Sequence, residues 1–328
     1  QPTASYAAVS AEINQFWISY KMFDSHFIKK FPIRTVLIPL LFFCLVSQIS
    51  LAQTIDVDAM SLDEKIGQLL IVSIDDQILS LDTADWIRRI KPGGIILLGK
   101  NVRSLDQVSN LIKSLEVVAA TTKIPPLFIA VDQEGGGVYS RFKFPASDGD
   151  VAQRLIYNPE ESYQAGLTRG RELKKLGVNL NFSPVLDRGI SASQFIYRRT
   201  FSDINPKIIA DLGLSMAKGY RESGIIPVVK HFPGHGLTNV DSHKSLPVIS
   251  VGLQEFVQHL FPFYLAAQSG IEMIMVGHIK VLNLDAIYPS SLSKIFLDSI
   301  LRRVFNYQGV IITDDLGMGA ITRSIKIE

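Results

Sequence analysis

The sequence predicts an α/β fold of the TIM-type (β/α)8 barrel class, on two observations. Seven short apolar segments with strand character alternate with helical stretches of ordinary length, which is the pattern of βα units joined into a parallel sheet. Polar and titratable residues then stand at the C-terminal ends of most of those strands: Asp132, Asp187, Lys230, His231, His278 and Asp314. A barrel gathers its site from many strand ends at one mouth, whereas an open doubly wound sheet focuses it at a single switch point. The barrel is therefore preferred.

The elements justify themselves in order. In SLDEKIGQLLIVS, Ser61 with Glu64 three residues later predicts a capped helix running into a strand near Leu70. KPGGIILLG, Lys91 to Gly99, reads as a glycine turn feeding a second strand. A helix over Leu105–Ala119 leads to PPLFIAVDQEGG, whose strand ends at Asp132. A helix from Pro159 to Leu176 precedes VNLNFSPVLD, Val178 to Asp187, and a helix from Pro206 to Ser223 precedes a strand starting at Ile226. A helix over Leu253–Ser269, the strand EMIMVGH (Glu272 to His278), a helix over Ser293–Phe305 and the strand GVIITDD (Gly309 to Asp315) complete the series. The aromatic residues Phe256, Phe261, Phe263 and Tyr264 of the Leu253 helix are expected in the core rather than as a ligand platform. Gly135 to Gly137 lack the GxGxxG spacing and acidic partner of a dinucleotide site.

Bulk properties narrow the classes. With 328 residues, 47% hydrophobic, the chain can build one large barrel or two modest domains. A net charge of +2 gives no field suited to nucleic acid. The single cysteine, Cys44, excludes an internal disulfide framework and a cysteine-based zinc site. Lys29, Lys30 and Arg34 precede an apolar run from Val36 to Val46, and Ser50, Leu51 and Ala52 offer small-x-small cleavage before Gln53. That order predicts a signal peptide or N-terminal anchor over 22–52 and an exported, periplasmic or secreted product, with any membrane contact made through residues 36–52. Residues 1–21, upstream of the first methionine Met22, are set aside as a non-native extension, and 53–328 form the barrel domain.

The stretch Ile226 to Pro247, IPVVKHFPGHGLTNVDSHKSLP, holds three of the six histidines and reads as a strand emptying into a polar loop. Two glycines and a proline within Phe232 to Gly236 set an irregular backbone. Asp241 and His243 form an Asp-x-His pair. A carboxylate on one imidazole nitrogen fixes the tautomer and raises the basicity of the other, which suits proton transfer. A metal site of His231, His235, Asp241 and His243 is set aside, because Pro233 and Gly234 prevent helical His-x3-His geometry.

KHFPGHG followed by DSH resembles the signature loop of bacterial glycoside hydrolase family 3 β-N-acetylhexosaminidases, and EKIGQLL, PGGIILL, VDQEGG, NLNFSPVLD and TDDLGM are further blocks of that family's kind. The resemblance runs from about Ser61 to Gly319. It implies a retaining exo-β-N-acetylglucosaminidase acting on terminal β-linked N-acetylhexosamine, on peptidoglycan fragments or chitooligosaccharides, with Asp314 as nucleophile, His243 as general acid/base and Asp241 as its partner. It also implies Asp132, Arg199 (in YRRTF), Lys230 and His231 as sugar binders, and Arg141 as a further one. Arg141 is displaced by about one position, with Gly137 where an arginine is common, and Leu237 stands where many members carry an acidic residue. A carbohydrate is the only partner implied; no metal, cofactor or nucleic acid is called for. His235 is expected to brace the loop and His278 to be structural. Family members continue through an eighth βα unit, whereas 13 residues follow Asp315 here; the sequence thus reads as a barrel cut short after strand seven. A β-glycoside phosphorylase and a non-catalytic sugar-binding barrel are the alternatives.

Overall fold

The computed structural model describes residues 8, 10–15, 56–122, 124–137, 140–143, 151–202 and 205–325. The candidate signal segment and Cys44 lie outside them. Among the described residues no helix is long and apolar enough to cross a membrane.

Seven parallel strands form one sheet, adjacent in chain order: β1 (Ile71–Ser73), β2 (Gly94–Leu97), β3 (Phe128–Val131), β4 (Leu180–Asn181), β5 (Ile226–Phe232), β7 (Met273–Val276) and β9 (Val310–Thr313). These are the seven expected strands. Between β5 and β9, β6 (Val248–Ile249) pairs with β8 (Lys280–Val281) as a separate two-stranded ribbon. Two-residue strands carry no periodicity, and this ribbon was not expected.

The side-chain alternation of each strand divides between two apolar clusters, which shows how the sheet is used. Ile71, Ile96, Ala130, Leu180, Val228, Met273, Met275 and Ile312 meet in one cluster drawn from all seven strands. Their neighbours Val72, Ile95, Leu97, Ile129, Val131, Val229, Ile274, Val276 and Ile311 face the other way, into the layer of helices. A sheet with a continuous inner cluster and an outer helical layer is the curled arrangement of a (β/α) barrel. Fully buried residues such as Ile129 and Ile274 each contribute about 1.5–3 kcal/mol through burial.

Helix starts follow their caps. Helix α1 (Leu62–Gln68) begins at the expected box, with Ser61 and Glu64 capping each other's backbone. Helix α2 (Leu81–Ile90), capped by Ser80, was not anticipated. Helices α3 (Leu105–Ala120), α4 (Pro159–Leu176), α5 (Pro206–Glu222) and α6 (Leu253–Gln268) lie where predicted. The last long helical segment, Ile295–Val304, is wound in the wider π form. Phe256, Phe261 and Phe263 are buried as expected, and Tyr264 packs against the core. Phe263, Phe296 and Phe305 stand edge-on to Phe232, at centroid distances of 5.7, 6.2 and 6.0 Å. Those T-shaped contacts anchor the outer side of β5 where the chain leaves the sheet.

Strand parity then orients the strand-end groups. On β3, Ala130 points inward and Val131 outward, so Asp132 follows on the inner side; on β9 the same count from Ile312 places Asp314 inward and Asp315 away. Strand β5 runs one residue past the end expected at Lys230 and His231, to Phe232, with a register shift against β7 between Val229 and Phe232.

Candidate active site

Lys230 is the centre of a buried ionic cluster. Its Nζ donates to Asp132 Oδ1 at 2.8 Å and lies 2.7 Å from Glu134 Oε1, with 2% of the side chain exposed. Arg199 approaches the same Glu134 through both edges of its guanidinium, Nε to Oε2 at 2.9 Å and one terminal nitrogen to Oε1 at 2.7 Å. Arg141 reaches Asp132 Oδ2 at 3.3 Å. Burial alone would raise the Asp132 and Glu134 carboxyls. The charges of Lys230 and Arg141 on Asp132, and of Arg199 and Lys230 on Glu134, overcome it and hold each at about 2. Burial likewise opposes the charge on Lys230, and the two carboxylates override it and raise its pKa.

His231 joins this cluster from its far edge. Its Nε2 lies 3.1 Å from an Arg199 terminal nitrogen and its Nδ1 2.6 Å from Asp187 Oδ2. A guanidinium only donates, so Nε2 accepts and the ring proton sits on Nδ1, directed at Asp187. Burial, then the charges of Arg199 and Lys230, push the imidazole well below its ordinary pKa, with Asp314 acting in the opposite sense. His231 is thus a neutral ring of defined tautomer. Asp187 also accepts the main-chain amides of His231 at 3.2 Å and His235 at 2.6 Å. Burial pushes its carboxyl above the ordinary value against these donors.

The loop after β5 folds back over the mouth. Gly236 has no room for a side chain: a Cβ there would lie 1.8 Å from the Arg188 carbonyl oxygen. His235 is buried and its Nε2 bonds Ser242 Oγ at 3.1 Å, so it ties the start of the loop to its end, the bracing role expected of it. Asp241 Oδ1 then receives both the His243 amide at 3.0 Å and ring Nδ1 at 2.8 Å, which fixes the orientation of the imidazole. Burial would raise Asp241, and the hydrogen bonds from His243 override it and lower its pKa. The His243 side chain is 48% exposed.

Phe195 joins the two halves. Its ring is 5.7 Å from those of both His235 and His243, and the Arg199 guanidinium lies 5.5 Å from its centroid. Asp314 stands at the end of β9, its amide bonded to the Val276 carbonyl at 2.9 Å and its Oδ1 accepting the Asp315 amide at 2.9 Å. Its charge acts on both His231 and His235, which places it at the same mouth. Asp315 instead caps a turn through Gly317, and its carbonyl receives His278 Nε2 at 3.0 Å, giving His278 the structural part expected.

The structure therefore brings Asp132, Arg141, Arg199, Lys230 and His231 into one cluster and pairs Asp241 with His243. The sequence reading did not single out Glu134 or Phe195 as site residues, and it placed Asp187 at a strand end without giving it a role. The signal for Glu134 was its spacing from Asp132: two carboxylates two residues apart at one strand end. Phe195 carried no signal, since an aromatic residue in a loop is ordinary. Among the described residues no group of three or more His, Cys, Asp or Glu side chains is arranged to hold a metal ion.

Residues 61–328 match the Glycosyl hydrolase family 3 N terminal domain. The chain belongs to glycosyl hydrolase family 3. Among curated relatives of this family 3 chain, Beta-hexosaminidase A of Pseudoalteromonas piscicida is 34% identical over 261 residues, covering 74% of this chain and 44% of that protein. A Beta-hexosaminidase of Hydrogenovibrio crunogenus is 32% identical over 263 residues, covering 76% and 71%. This chain thus spans less than half the length of the Pseudoalteromonas protein. Among solved structures, a glycoside hydrolase family 3 beta-N-acetylglucosaminidase from Paenibacillus sp. str. FPU-7 superposes with a TM-score of 0.75 at 32% identity, over 81% of this chain and 51% of that one. NagZ from Neisseria gonorrhoeae in complex with zinc ion superposes with a TM-score of 0.67 at 30% identity, over 76% and 74%.

Proposed function

We propose that this family 3 chain is a retaining exo-β-N-acetylglucosaminidase that releases terminal β-linked N-acetylhexosamine from peptidoglycan fragments or chitooligosaccharides. The observation that carries the reading is the Asp241–His243 pair, a half-exposed imidazole oriented by a carboxylate at 2.8 Å, on a loop above the mouth where Asp314 ends β9. The names of the relatives and structural neighbours support the substrate class. Asp314 attacks the anomeric carbon while the His243 imidazolium gives its Nε2 proton to the leaving oxygen, forming a glycosyl-aspartate. The neutral imidazole then takes a proton from water, whose oxygen displaces Asp314 from the same face the leaving group occupied. The ionic cluster of Asp132, Lys230, Glu134 and Arg199 presents fixed charges of both signs, suited to sugar hydroxyls.

Phosphorolysis is the second reading, because an imidazole repels an incoming phosphate less than the carboxylic acid most glycosidases use. Release of p-nitrophenol from its β-N-acetylglucosaminide by the full chain, with and without phosphate, tests both. Turnover lost in Asp314→Asn supports the glycosidase, and sugar phosphate as product would replace hydrolysis with phosphorolysis. An inert parent chain would refute both. Export is part of the same proposal, and the N-terminal sequence of the secreted or periplasmic product checks it: a start at Gln53 supports cleavage.

A further inference from the structure

The loop that carries Asp241 and His243 is held from below by the segment that follows Asp314. The Gly319 amide donates to the His243 carbonyl at 3.0 Å and the Ala320 amide to the Ser242 carbonyl at 3.1 Å. Both donors are buried, and Met318 and Ile321 on either side of them are 5% and 0% exposed, so these contacts sit on a packed floor. The approach is closer than any side chain allows: a Cβ on Gly319 would lie 2.5 Å from the Lys244 carbonyl oxygen and 2.8 Å from that of His243. Those atoms are backbone and cannot turn aside as a long side chain would. The floor is itself fixed to the end of β9, since the Met318 amide bonds the Asp315 carbonyl at 3.0 Å and buried His278 bonds the same oxygen.

We infer that Gly319 is a positioning residue for His243: its missing side chain and its amide set the height of the acid/base loop above the strand end that presents Asp314. The chain thereby ties the two reacting groups together through five residues of one segment rather than through the barrel. The inference rests on the proposal that His243 is the acid/base. Ser242 is the pivot, with its carbonyl held by Ala320 and its hydroxyl by His235. An added methyl at Gly319 displaces the Ser242–Lys244 backbone, and with it the imidazole, while leaving the buried sugar-binding cluster where it is.

A displaced acid has a signature that general loosening lacks. Proton donation matters most when the leaving group is a poor one, so its loss is felt by aryl glycosides of high leaving-group pKa and much less by activated ones. The test compares kcat/KM for p-nitrophenyl and 2,4-dinitrophenyl β-N-acetylglucosaminides in the parent, Gly319→Ala and Ala320→Pro, with Gly252→Ala as control, since a Cβ there meets nothing within 4 Å. Ala320→Pro removes the second amide donor in the first turn of the short helix Gly319–Thr322, where proline is tolerated. A misplacement on the order of 1 Å costs up to ~100-fold, so a fall of roughly 10- to 100-fold is expected on the p-nitrophenyl substrate and under about threefold on the dinitrophenyl one. Equal losses on both substrates, or none, overturn the inference while leaving the glycosidase reading intact. Hydrogen exchange at the amides of residues 240–246 decides it without turnover: faster exchange there in Gly319→Ala, with β3 and β5 unchanged, supports the clamp, and unchanged exchange overturns it even if the parent hydrolyses neither substrate.

Discussion

Arg199 grips Glu134 with two parallel hydrogen bonds, at 2.9 and 2.7 Å, where the two side chains are 4% and 3% exposed. Charges so far from water persist only when each has its partner, because an uncompensated buried charge costs far more than the pair gains. Glu134→Ala leaves Arg199 and Lys230 facing each other across the vacated space. It is expected to destabilise the protein by about 3–5 kcal/mol. Arg199→Lys keeps the charge but cannot span both carboxylate oxygens, and it withdraws the donor from His231 Nε2. Urea unfolding of the two variants checks the order, with Glu134→Ala the less stable.

The same cluster sets an acid limit to stability. The carboxyls of Asp132 and Glu134 have ordinary values of 3.8 and 4.5 in the unfolded chain and are held at about 2 in the folded one. A depressed folded value means that the unfolded chain binds more protons as the pH falls. Their contribution is therefore fully present above about pH 5 and is lost progressively as pH falls from there through 2. Thermal midpoints measured from pH 6 to pH 3 are expected to fall, and less steeply in Glu134→Gln. Equal slopes in parent and variant would show that other groups control acid unfolding.

Most of the frame was legible in the sequence because it is local. Ser61 with Glu64, Asn158 before Pro159 and Asn205 before Pro206 are start signals spanning a few residues, and each opens a helix. Helix α2 was missed although Ser80 caps it and Ala84 and Ile87 bury one face. Four charged residues in LDTADWIRRI hid that stripe. The site was legible where motif and strand end coincide, as at Asp132, Lys230 and Asp314. It was not legible where a partner lies far along the chain. Glu134 meets Arg199 across 65 residues and Asp187 meets His231 across 44, separations that only the closed sheet brings together.

The reacting pair separates cleanly by mutation. Asp314→Asn removes the nucleophile proposed above while keeping the side chain's size and its acceptor for the Asp315 amide, so turnover is expected to vanish with the unfolding midpoint nearly unchanged. His243→Ala is expected to lower kcat/KM by about 10²–10⁴ on a poor leaving group, the usual worth of a positioned acid. Asp241→Asn falls between parent and His243→Ala, because an amide still orients the ring without stabilising its cation. Steady-state kinetics on phenyl β-N-acetylglucosaminide, whose phenolate is a poor leaving group, give the order, and a silent His243→Ala would remove that residue from the mechanism.

Phe195 offers a finer test of how the two halves cooperate. Its ring lies 5.7 Å from those of His243 and His235 and 5.5 Å from the Arg199 guanidinium, so it links the proposed proton donor to the ionic cluster. Phe195→Leu keeps apolar volume but loses the edge-on contact with His243 and the tilted one with His235, each worth about 0.5–1.5 kcal/mol. Both functions are expected to weaken together, with kcat falling as the imidazole gains freedom and KM rising as Arg199 loses the face it leans on. If KM alone changed, Phe195 would serve the sugar site only. The bridging role requires both parameters to move, and it requires the leaving-group dependence of kcat/KM to steepen as it does when the acid is displaced.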